Sequence, residues 1–170
     1  RGVPLETFMH GAGQELGRRA GTENILEIVG LGKACEIAGR DLERHRRHMQ
    51  EMRDRLHAAV SAGGADVRLN GHPAKRLPNT LSLSFRDLEA NRLLEAIGLE
   101  VAASAGAACH ADSVEISHVL RAMGVPVEWA KGTLRLTTGR MTTAAEIDRA
   151  AAVIVEAVLA IRDSRKKTAG

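Results

Sequence analysis

The sequence predicts an α+β domain in which a small, mainly antiparallel sheet is covered by helices. The first observation is composition, since 44% hydrophobic and 26% charged residues in a chain of 170 are ordinary for a soluble globular domain with a real core. The second is the alternation of apolar and polar residues in short segments, which is typical of half-buried strands. The third is the helical spacing of apolar residues in longer segments.

The first sixty residues predict a loop followed by a helix. Residues 1–21 hold five glycines and one proline with little periodicity, which indicates an extended segment and a loop. Thr22 is expected to cap the following helix, with Glu23 in its first turn, where a negative charge favours the helix dipole. Apolar residues at helical spacing over 25–60 then predict one long helix, or two joined helices, ending near 63–64.

Short strands and helices alternate through the rest of the chain. Residues 79–85 alternate polar and apolar side chains with a period of two, which predicts a half-buried strand. Thr143 and Glu146 have the spacing of a capping box and are expected to open the last helix. The other predicted elements, in order, are a strand at 67–70, a helix at 87–97 stopped by Gly98, strands at 99–103 and 134–138, and a frayed tail at 164–170.

Charge and aromatic content limit the classes of partner. The net charge is +3, and acids and bases are interspersed over 41–51, which favours a solvated helix face over a nucleic-acid patch. Aromatic residues make up 2% of the chain and none is tyrosine, so stacking platforms for single-stranded nucleic acid are not expected. The apolar tract 150–161 is too short for a membrane span and contains Glu156. We therefore expect neither nucleic-acid nor membrane partners.

Cysteine and histidine usage points to a reducing compartment and away from metal binding. Cys35 and Cys109 are the only cysteines, too few for a secreted disulfide framework, and no secretory signal pattern is seen. We expect a cytoplasmic protein, and Arg1 in the first position is expected to mark a piece of a longer one. The seven histidines form no ligand pattern with cysteine, so no metal site is expected.

The segment of greatest chemical interest is Ser-Ala-Gly-Ala-Ala-Cys-His over 104–110. Its small residues offer little bulk to bury the Cys109 thiol, while His110 and a helix predicted to begin near Ser113 would favour the thiolate. Cys35, in contrast, lies in the predicted amphipathic helix and is expected to be buried and to alkylate more slowly. From the residues alone two interpretations stay open: Cys109 is a reactive nucleophile, or it occupies a packing site for small residues.

Several motifs in combination resemble those of the cysteine desulfurase and selenocysteine lyase family, class V aminotransferases that use pyridoxal phosphate. The motifs are the glycine-rich segment 11–24, the strand segment 77–85, the cysteine segment 104–124 and the segment 132–140. Over nearly its whole length the chain is similar to the carboxy-terminal portion of the family's subunit. The resemblance implies the small domain of a fold-type I enzyme at 23–163, with a long linking helix. It places 1–22 on the cofactor-domain side and leaves 164–170 as a frayed tail.

The resemblance also implies residue roles. Cys109 matches the family's nucleophile, which attacks the sulfur of a substrate L-cysteine bound to pyridoxal phosphate and leaves alanine and an enzyme persulfide. Gly21 and Thr22 match a pair that binds the cofactor phosphate across the interface of a homodimer. Arg135 matches an arginine that binds the substrate carboxylate. Without the resemblance, Thr22 is interpreted as a plain helix cap and Arg135 as a strand residue facing solvent.

The chain departs from the family pattern in two respects. Leu16 stands where many relatives have an arginine after the glutamate. None of the five lysines matches the context of the family's cofactor lysine, which the resemblance places upstream of Arg1. The 170 residues alone are therefore expected to be inactive.

The implied function is that of a cysteine desulfurase, which moves sulfur from L-cysteine onto Cys109 and delivers it to an acceptor such as an iron–sulfur scaffold protein. Two alternatives stay open at this point. One is a selenocysteine lyase, since the residues around Cys109 do not distinguish sulfur from selenium. The other is a non-catalytic module that carries a persulfide or docks sulfur-accepting partners.

Overall fold

The computed structural model describes residues 2–4, 6–110 and 113–168, with the backbone alone for 107–110, 113–115 and 166–168. It divides into two compact units, Arg1–Leu42 (unit 1) and Glu43–Gly170 (unit 2). Unit 1 contains a two-stranded hairpin and the start of a long helix. Unit 2 contains the rest of that helix, a four-stranded sheet, a second hairpin and four further helices.

All neighbouring strands are antiparallel. The helices are α1 (Ile25–Ala62), α2 (Ala90–Ile97), α3 (His118–Ala122), α4 (Val127–Ala130) and α5 (Ala144–Thr168). The strands are β1 (Gly13–Gln14), β2 (Arg19–Ala20), β3 (Val67–Leu69), β4 (Thr80–Phe85), β5 (Ser104–Ala105), β6 (Ala107–His110), β7 (Ser113–Ile116) and β8 (Thr133–Thr137). The main sheet has the order β3-β4-β8-β5, and β1-β2 and β6-β7 are separate pairs. The predicted α+β class with a small antiparallel sheet is confirmed.

One face of the four-stranded sheet is apolar and carries the core. Alternate residues of β4 and β8 supply Leu81, Leu83, Leu134 and Leu136, each at most 3% exposed. Helices cover this face with Met52, Leu56 and Val60 from α1, Leu93 and Ile97 from α2, and Ile147, Ile154 and Val158 from α5. Full burial of such a side chain stabilises by about 1.5–3 kcal/mol. This packing therefore fixes the sheet against three helices.

The opposite face of the sheet is polar. Serines and threonines occupy the intervening positions of β4 and β8, so that Ser82 lies opposite Arg135 and Ser84 lies opposite Thr133. The period-two pattern predicted for 79–85 is thereby confirmed, and it separates the two faces. Ser84 and Thr133 are buried, so the accessible part of this face lies around Ser82 and Arg135.

Helix α1 is a single helix, which decides between the two forms predicted for 25–60. It begins at Ile25 because the Asn24 Oδ1 atom accepts a hydrogen bond of 3.2 Å from the backbone N–H of Glu27, as an N-cap does. The prediction that Thr22 caps this helix is wrong. Asparagine is among the strongest N-caps and directly precedes the first helical residue, whereas Thr22 lies two positions too early.

The predicted strand at 99–103 is also wrong. The backbone N–H groups of Glu100 and Val101 both donate to the Ile97 carbonyl at 2.9 Å, so a hydrogen-bonded turn follows α2. Strand pairing begins only at Ser104, in β5. Local hydrogen bonds to the end of the helix prevail here over the apolar character of the segment.

The capping box predicted for the last helix is confirmed. The Thr143 Oγ1 atom accepts from the backbone N–H of Glu146 at 3.3 Å, and the Glu146 carboxylate accepts from the backbone N–H of Thr143 at 2.7 Å. The Glu146 carboxylate accepts from both the backbone N–H and the hydroxyl of Thr143, and these two hydrogen bonds lower its pKa from the usual value, because they favour the charged carboxylate. Helix α5 continues to Thr168, into the segment predicted as a tail, and the fraying of 164–170 stays a prediction.

In 2–4, 6–110 and 113–168 no helix is both long and apolar enough to cross a membrane. Among the side chains that the structure describes, no group of three or more from His, Cys, Asp and Glu lies close enough to hold a metal ion.

Candidate active site

Arg135 lies on the polar face of the sheet. Its neighbours on β8, Leu134 and Leu136, are buried in the core, so strand alternation directs the Arg135 side chain the other way, where it is exposed. The register places Ser82 of β4 on one side of it and Ser104 of β5 on the other. The Arg135 Nη2 atom donates a long hydrogen bond of 3.4 Å to Ser104 Oγ. An exposed guanidinium can bind a carboxylate through two parallel hydrogen bonds.

A chain of polar side chains supports the strand that carries Arg135. The Asn70 Nδ2 atom donates to Ser84 Oγ at 2.7 Å, and the hydroxyls of Ser84 and Thr133, both fully buried, share a hydrogen bond of 2.7 Å. The Thr133 hydroxyl also donates to the Trp129 carbonyl at 3.4 Å. Buried polar groups are costly to leave unpaired, so these bonds hold β4 and β8 in register. This network is not predicted from the sequence, although the alternation of polar residues in β4 is a signal for it.

Cys109 lies on a hairpin rather than in an irregular loop. Strands β6 and β7 pair antiparallel, and the backbone of Cys109 lies opposite that of Val114. Val114 and Ile116 at alternate positions of β7 favour a strand, because β-branched residues suit extended backbone. Residues 111 and 112 and the Cys109 side chain lie outside the described residues. The exposure of the Cys109 thiol therefore stays a prediction.

The helix after this hairpin begins later than predicted. Its expected start was near Ser113, which belongs to β7, and α3 begins at His118. The Ser117 Oγ atom accepts from the backbone N–H of Val119 at 3.2 Å, which is how a serine N-cap sets a helix start. A helix dipole acts over about one turn, so the later start weakens the predicted effect of this helix on the Cys109 thiolate.

A short stretch of backbone connects Cys109 to the polar face. Ser104 is paired with Arg135, and Cys109 follows five positions later, so the Cα atoms of Ser104 and Cys109 lie at most about 17 Å apart. Between them, the Gly106 N–H donates to the Thr133 carbonyl at 2.7 Å. A Cβ at Gly106 would lie 2.6 Å from the Thr133 methyl group. Glycine is therefore required by this close approach, which accounts for part of the small-residue run.

Unit 1 contains a tight hairpin that the sequence analysis did not predict. Its turn is closed by a hydrogen bond of 3.0 Å from the Gly17 N–H to the Gln14 carbonyl. Both central residues, Glu15 and Leu16, have positive φ angles, 51° and 63°, as in a type I′ turn. An ion pair of 2.7 Å between Arg19 and Glu15 spans this turn. Leu16 is 94% exposed, so it adds little buried apolar area to the hairpin.

Gly21 and Thr22 follow this hairpin and precede the cap of α1. Gly21 has a φ angle of +90°, and its carbonyl accepts from Arg19 Nη1 at 2.7 Å. Thr22 is exposed, and its hydroxyl makes no hydrogen bond to any described residue. Because Asn24 takes the capping role, the Thr22 hydroxyl does not serve as the cap.

Cys35 is exposed, and the prediction that its helix buries it is wrong. Nearby apolar residues of α1 are exposed as well, with Ile28 at 53% and Leu31 at 66%. The spacing of apolar residues identified the helix correctly, but no described residue covers this part of it. The expectation that Cys35 alkylates slowly therefore has no physical basis in these 170 residues.

Comparisons with known proteins extend over most of the chain. The model of the aminotransferase class-V family matches residues 6–150. Cysteine desulfurase IscS of Methanosarcina thermophila is 43% identical over 164 residues, which cover 96% of this chain and 40% of that protein. Cysteine desulfurase NifS of Azotobacter vinelandii is 41% identical, over 88% of this chain and 37% of that protein. The chain thus spans about 40% of the length of these curated relatives.

Solved structures show the same relationship. A NifS-like protein superposes with a TM-score of 0.77 at 33% identity, covering 95% of this chain and 40% of the other. A NifS-like protein from Rickettsia africae gives a TM-score of 0.71 at 26% identity, covering 95% and 41%. The family match includes the hairpin of unit 1, the polar face and the Cys109 segment. The chain belongs to the aminotransferase class-V family.

Proposed function

We propose that this chain is part of a pyridoxal phosphate-dependent cysteine desulfurase in which Cys109 takes sulfur from L-cysteine. One observation carries the proposal: the Arg135 guanidinium is exposed on a face of serine and threonine hydroxyls, and a few residues of backbone connect that face to Cys109. Two relatives at 41–43% identity are named cysteine desulfurases, which supports the same reaction.

The proposed reaction moves one sulfur atom and needs no external oxidant. The Cys109 thiolate attacks the sulfur of the substrate, an S–S bond forms, and the Cβ–S bond of the substrate breaks. The electron pair of the broken bond stays with the carbon, which takes up a proton, so the products are L-alanine and a persulfide on Cys109. The thiolate is required because it is far more nucleophilic than the thiol.

Arg135 is proposed to orient the substrate. A guanidinium that forms two parallel hydrogen bonds to the carboxylate fixes both the position and the plane of the amino acid. The Ser104 hydroxyl contacts Arg135 Nη2 from the neighbouring strand and limits the freedom of the guanidinium. Since Ser104 also leads into the Cys109 segment, the proposal requires that segment to bring the thiolate to the substrate sulfur.

The residues of this chain fit one end of pyridoxal phosphate, its phosphate group. The Thr22 hydroxyl makes no bond to the described residues, and the positive φ of Gly21 lets the backbone turn just before a helix start, where N–H groups attract anions. When bound, the cofactor supplies the electron sink that makes the Cβ–S bond breakable. Following the family resemblance, we infer that Gly21 and Thr22 serve the active site of the other subunit in a homodimer.

The persulfide on Cys109 is proposed to pass to an acceptor protein in the cytoplasm, of which an iron–sulfur scaffold is the implied example. A thiolate of the acceptor attacks the outer sulfur of the persulfide, and Cys109 returns to its thiol form. The hairpin of β6 and β7 is the element that such an acceptor must reach.

Replacement of the proposed nucleophile tests the function most sharply. In the complete protein, Cys109→Ser should lower alanine release from L-cysteine by about a thousandfold or more, as loss of a nucleophile does, and should abolish persulfide labelling of the protein. Binding of pyridoxal phosphate, followed by its absorption spectrum, should be unchanged. The matched control is Cys35→Ser, which should keep wild-type alanine release. Wild-type release by Cys109→Ser, with the persulfide label still present, would exclude Cys109 as the nucleophile.

Arg135 can be tested in the same protein. Loss of a hydrogen-bonded charge pair costs on the order of 2 kcal/mol, so Arg135→Ala should lower kcat/KM for L-cysteine by about thirtyfold at equal cofactor occupancy. Arg135→Lys should recover only part of this loss, because an ammonium lacks the planar fork. Ser104→Ala removes only the long contact of 3.4 Å and should have a smaller effect. An unchanged kcat/KM in Arg135→Ala would place Arg135 outside the substrate site.

A further inference from the structure

Ser82 and Arg135 are neighbours on the two central strands of the sheet. They lie directly opposite each other in the register of β4 and β8, and both side chains belong to the polar face. Ser82 is half-buried and Arg135 is exposed. The Cβ atoms of opposite residues are about 4.5–5.5 Å apart. A ligand that reaches the Arg135 guanidinium from this face therefore also passes close to the Ser82 hydroxyl.

The direction of each hydrogen bond in the buried network follows from its last member. The Thr133 hydroxyl donates its one proton to the Trp129 carbonyl, so in its bond with Ser84 it must accept. The Ser84 hydroxyl then uses its own proton on Thr133 and accepts from Asn70 Nδ2 at 2.7 Å. The amide nitrogen of Asn70, rather than the amide oxygen, therefore faces β4.

The same amide nitrogen leaves the Ser82 proton unused. Asn70 Nδ2 lies 3.3 Å from Ser82 Oγ and donates to it, whereas the Ser82 hydroxyl donates to no residue that the structure describes. Asn70 directly follows β3, and the sheet order β3-β4-β8 places β3 and β8 on opposite sides of β4. Ser82 thus accepts on the side of Asn70, and its proton is free to point to the other side, towards Arg135.

Two other hydroxyls of this face have different partners. The Thr80 hydroxyl, two positions earlier on β4, donates its proton to Asn79 Oδ1 at 3.2 Å. The Ser104 hydroxyl, on β5, accepts from the guanidinium itself. Ser82 has neither role, because it lies beside Arg135 without a bond to it among the described residues.

Donors from two strands therefore converge on one space. A guanidinium carries donors alone, and the free group of the Ser82 hydroxyl is a donor as well. Such a space is suited to an acceptor, and a carboxylate offers about four lone-pair positions on its two oxygens. Two parallel hydrogen bonds from Arg135 would occupy two of these positions. A third position is then left for the Ser82 hydroxyl.

We propose that Ser82 is a second binding residue for the substrate carboxylate, to which its hydroxyl donates a hydrogen bond beside Arg135. Asn70 orients this hydroxyl from the opposite side. The inference rests on the proposed function, because it takes the carboxylate of L-cysteine as the ligand of Arg135. The two can nevertheless fail separately, since Arg135 can bind a carboxylate without help from Ser82.

Kinetics of Ser82 variants in the complete protein test this inference. Ser82→Ala should raise the KM for L-cysteine about tenfold at equal cofactor occupancy, because a hydrogen bond to a charged group is lost. The kcat should stay within about twofold, since the carboxylate contact is the same before and during the reaction. Ser82→Thr keeps the hydroxyl and should stay within about threefold of the parent KM. An unchanged KM in Ser82→Ala would overturn the proposal, and so would equal losses in the two variants.

Binding of L-alanine gives a readout without turnover. L-Alanine carries the same carboxylate as L-cysteine but has no sulfur, and its Kd can be measured by isothermal titration calorimetry. Ser82→Ala and Arg135→Ala should each raise this Kd, Ser82→Ala by about tenfold. A loss in Arg135→Ala with none in Ser82→Ala would overturn the role of Ser82 alone. An unchanged Kd in both variants would contradict the proposed substrate site as well.

Asn70 is a positioning residue in this proposal, and reversal of its polarity tests that role. A carboxylate only accepts hydrogen bonds, so in Asn70→Asp the Ser82 proton should turn away from the substrate. The KM for L-cysteine should then rise about as far as in Ser82→Ala, with kcat kept. Adding Ser82→Ala to Asn70→Asp should have no further effect. Increases that multiply would contradict the assigned direction of the bond, and if Asn70→Asp does not fold, Ser82→Ala and Ser82→Thr still decide the proposal.

Discussion

The two halves of helix α1 share a backbone conformation and an apolar periodicity but differ in their surroundings. In the second half, Met52, Leu56 and Val60 are at most 5% exposed, because they pack against the sheet and α5. In the first half, Ile25 and Leu31 are 63% and 66% exposed. Helical spacing of apolar residues therefore predicts that a face will be covered, without predicting what covers it.

The difference has a thermodynamic consequence. Each buried leucine or valine of the second half contributes roughly 1.5–3 kcal/mol to folding, whereas the exposed residues of the first half contribute no comparable burial in this chain. A helix shorter than about 12–15 residues is marginal in water, and longer ones depend mainly on packing. Stability should therefore be concentrated in 43–62 and low in 25–42.

The largest expected effect comes from shortening one leucine in each half. Leu56→Ala should lower the free energy of unfolding of the 170-residue chain by about 3 kcal/mol, through lost burial and a cavity. Leu31→Ala, its matched control, should change it by less than about 0.5 kcal/mol, as exposed substitutions usually do. Urea denaturation followed by circular dichroism measures both. Equal losses would mean that the first half also packs against something within these 170 residues.

A change of pH should have a smaller effect on stability, and this effect reports on the surroundings of His57 in the second half of α1. Partial burial in the second half, together with the positive charge of Arg76 and of Arg53, lowers the pKa of His57 from its usual value, while Asp54 acts in the opposite direction. As pH falls below about 6.5, the unfolded state takes up this proton before the folded state does. Stability is then lost progressively until the pH passes the folded pKa of His57.

His57→Gln should remove this contribution. Between pH 7.5 and pH 5.5 the urea midpoint of the parent chain should fall further than that of the variant, since only the parent carries the depressed histidine. Other groups titrate in both proteins, so the comparison is between the two slopes. Identical slopes would show that the surroundings of His57 do not disfavour its charged form.

Much of the fold could be predicted from the sequence because its patterns are local. Strands β4 and β8 follow from two-residue alternation, and the capping box of Thr143 and Glu146 follows from spacing. The two hairpins could not be predicted in the same way. Three of their four strands, β1, β2 and β6, consist of glycine, alanine, cysteine and polar residues, and cross-strand pairing with register, rather than propensity, makes these segments strands.

In the candidate site too, local patterns predict some features, and contacts between distant parts of the chain decide the others. Alternation in β8 is enough to direct Arg135 away from the core, but its contact with Ser104 depends on the register of β5, which joins residues 31 positions apart. The sequence favours Thr22 as the cap of α1, and only hydrogen-bond geometry identifies Asn24 as the cap. The reactivity of Cys109 stays a prediction of the sequence and of the family resemblance.

Amide hydrogen exchange along α1 of the 170-residue chain tests the difference between the two halves most directly. Exchange reports local opening, and its free energy ranges from near zero at poorly packed segments to the global value in a core. We predict that amides of 43–62 exchange at least about a hundredfold more slowly than those of 25–42, apart from the last turn of the helix. Uniform protection from Ile28 to Val60 would contradict the account, because it would show that the first half is held by packing within this chain.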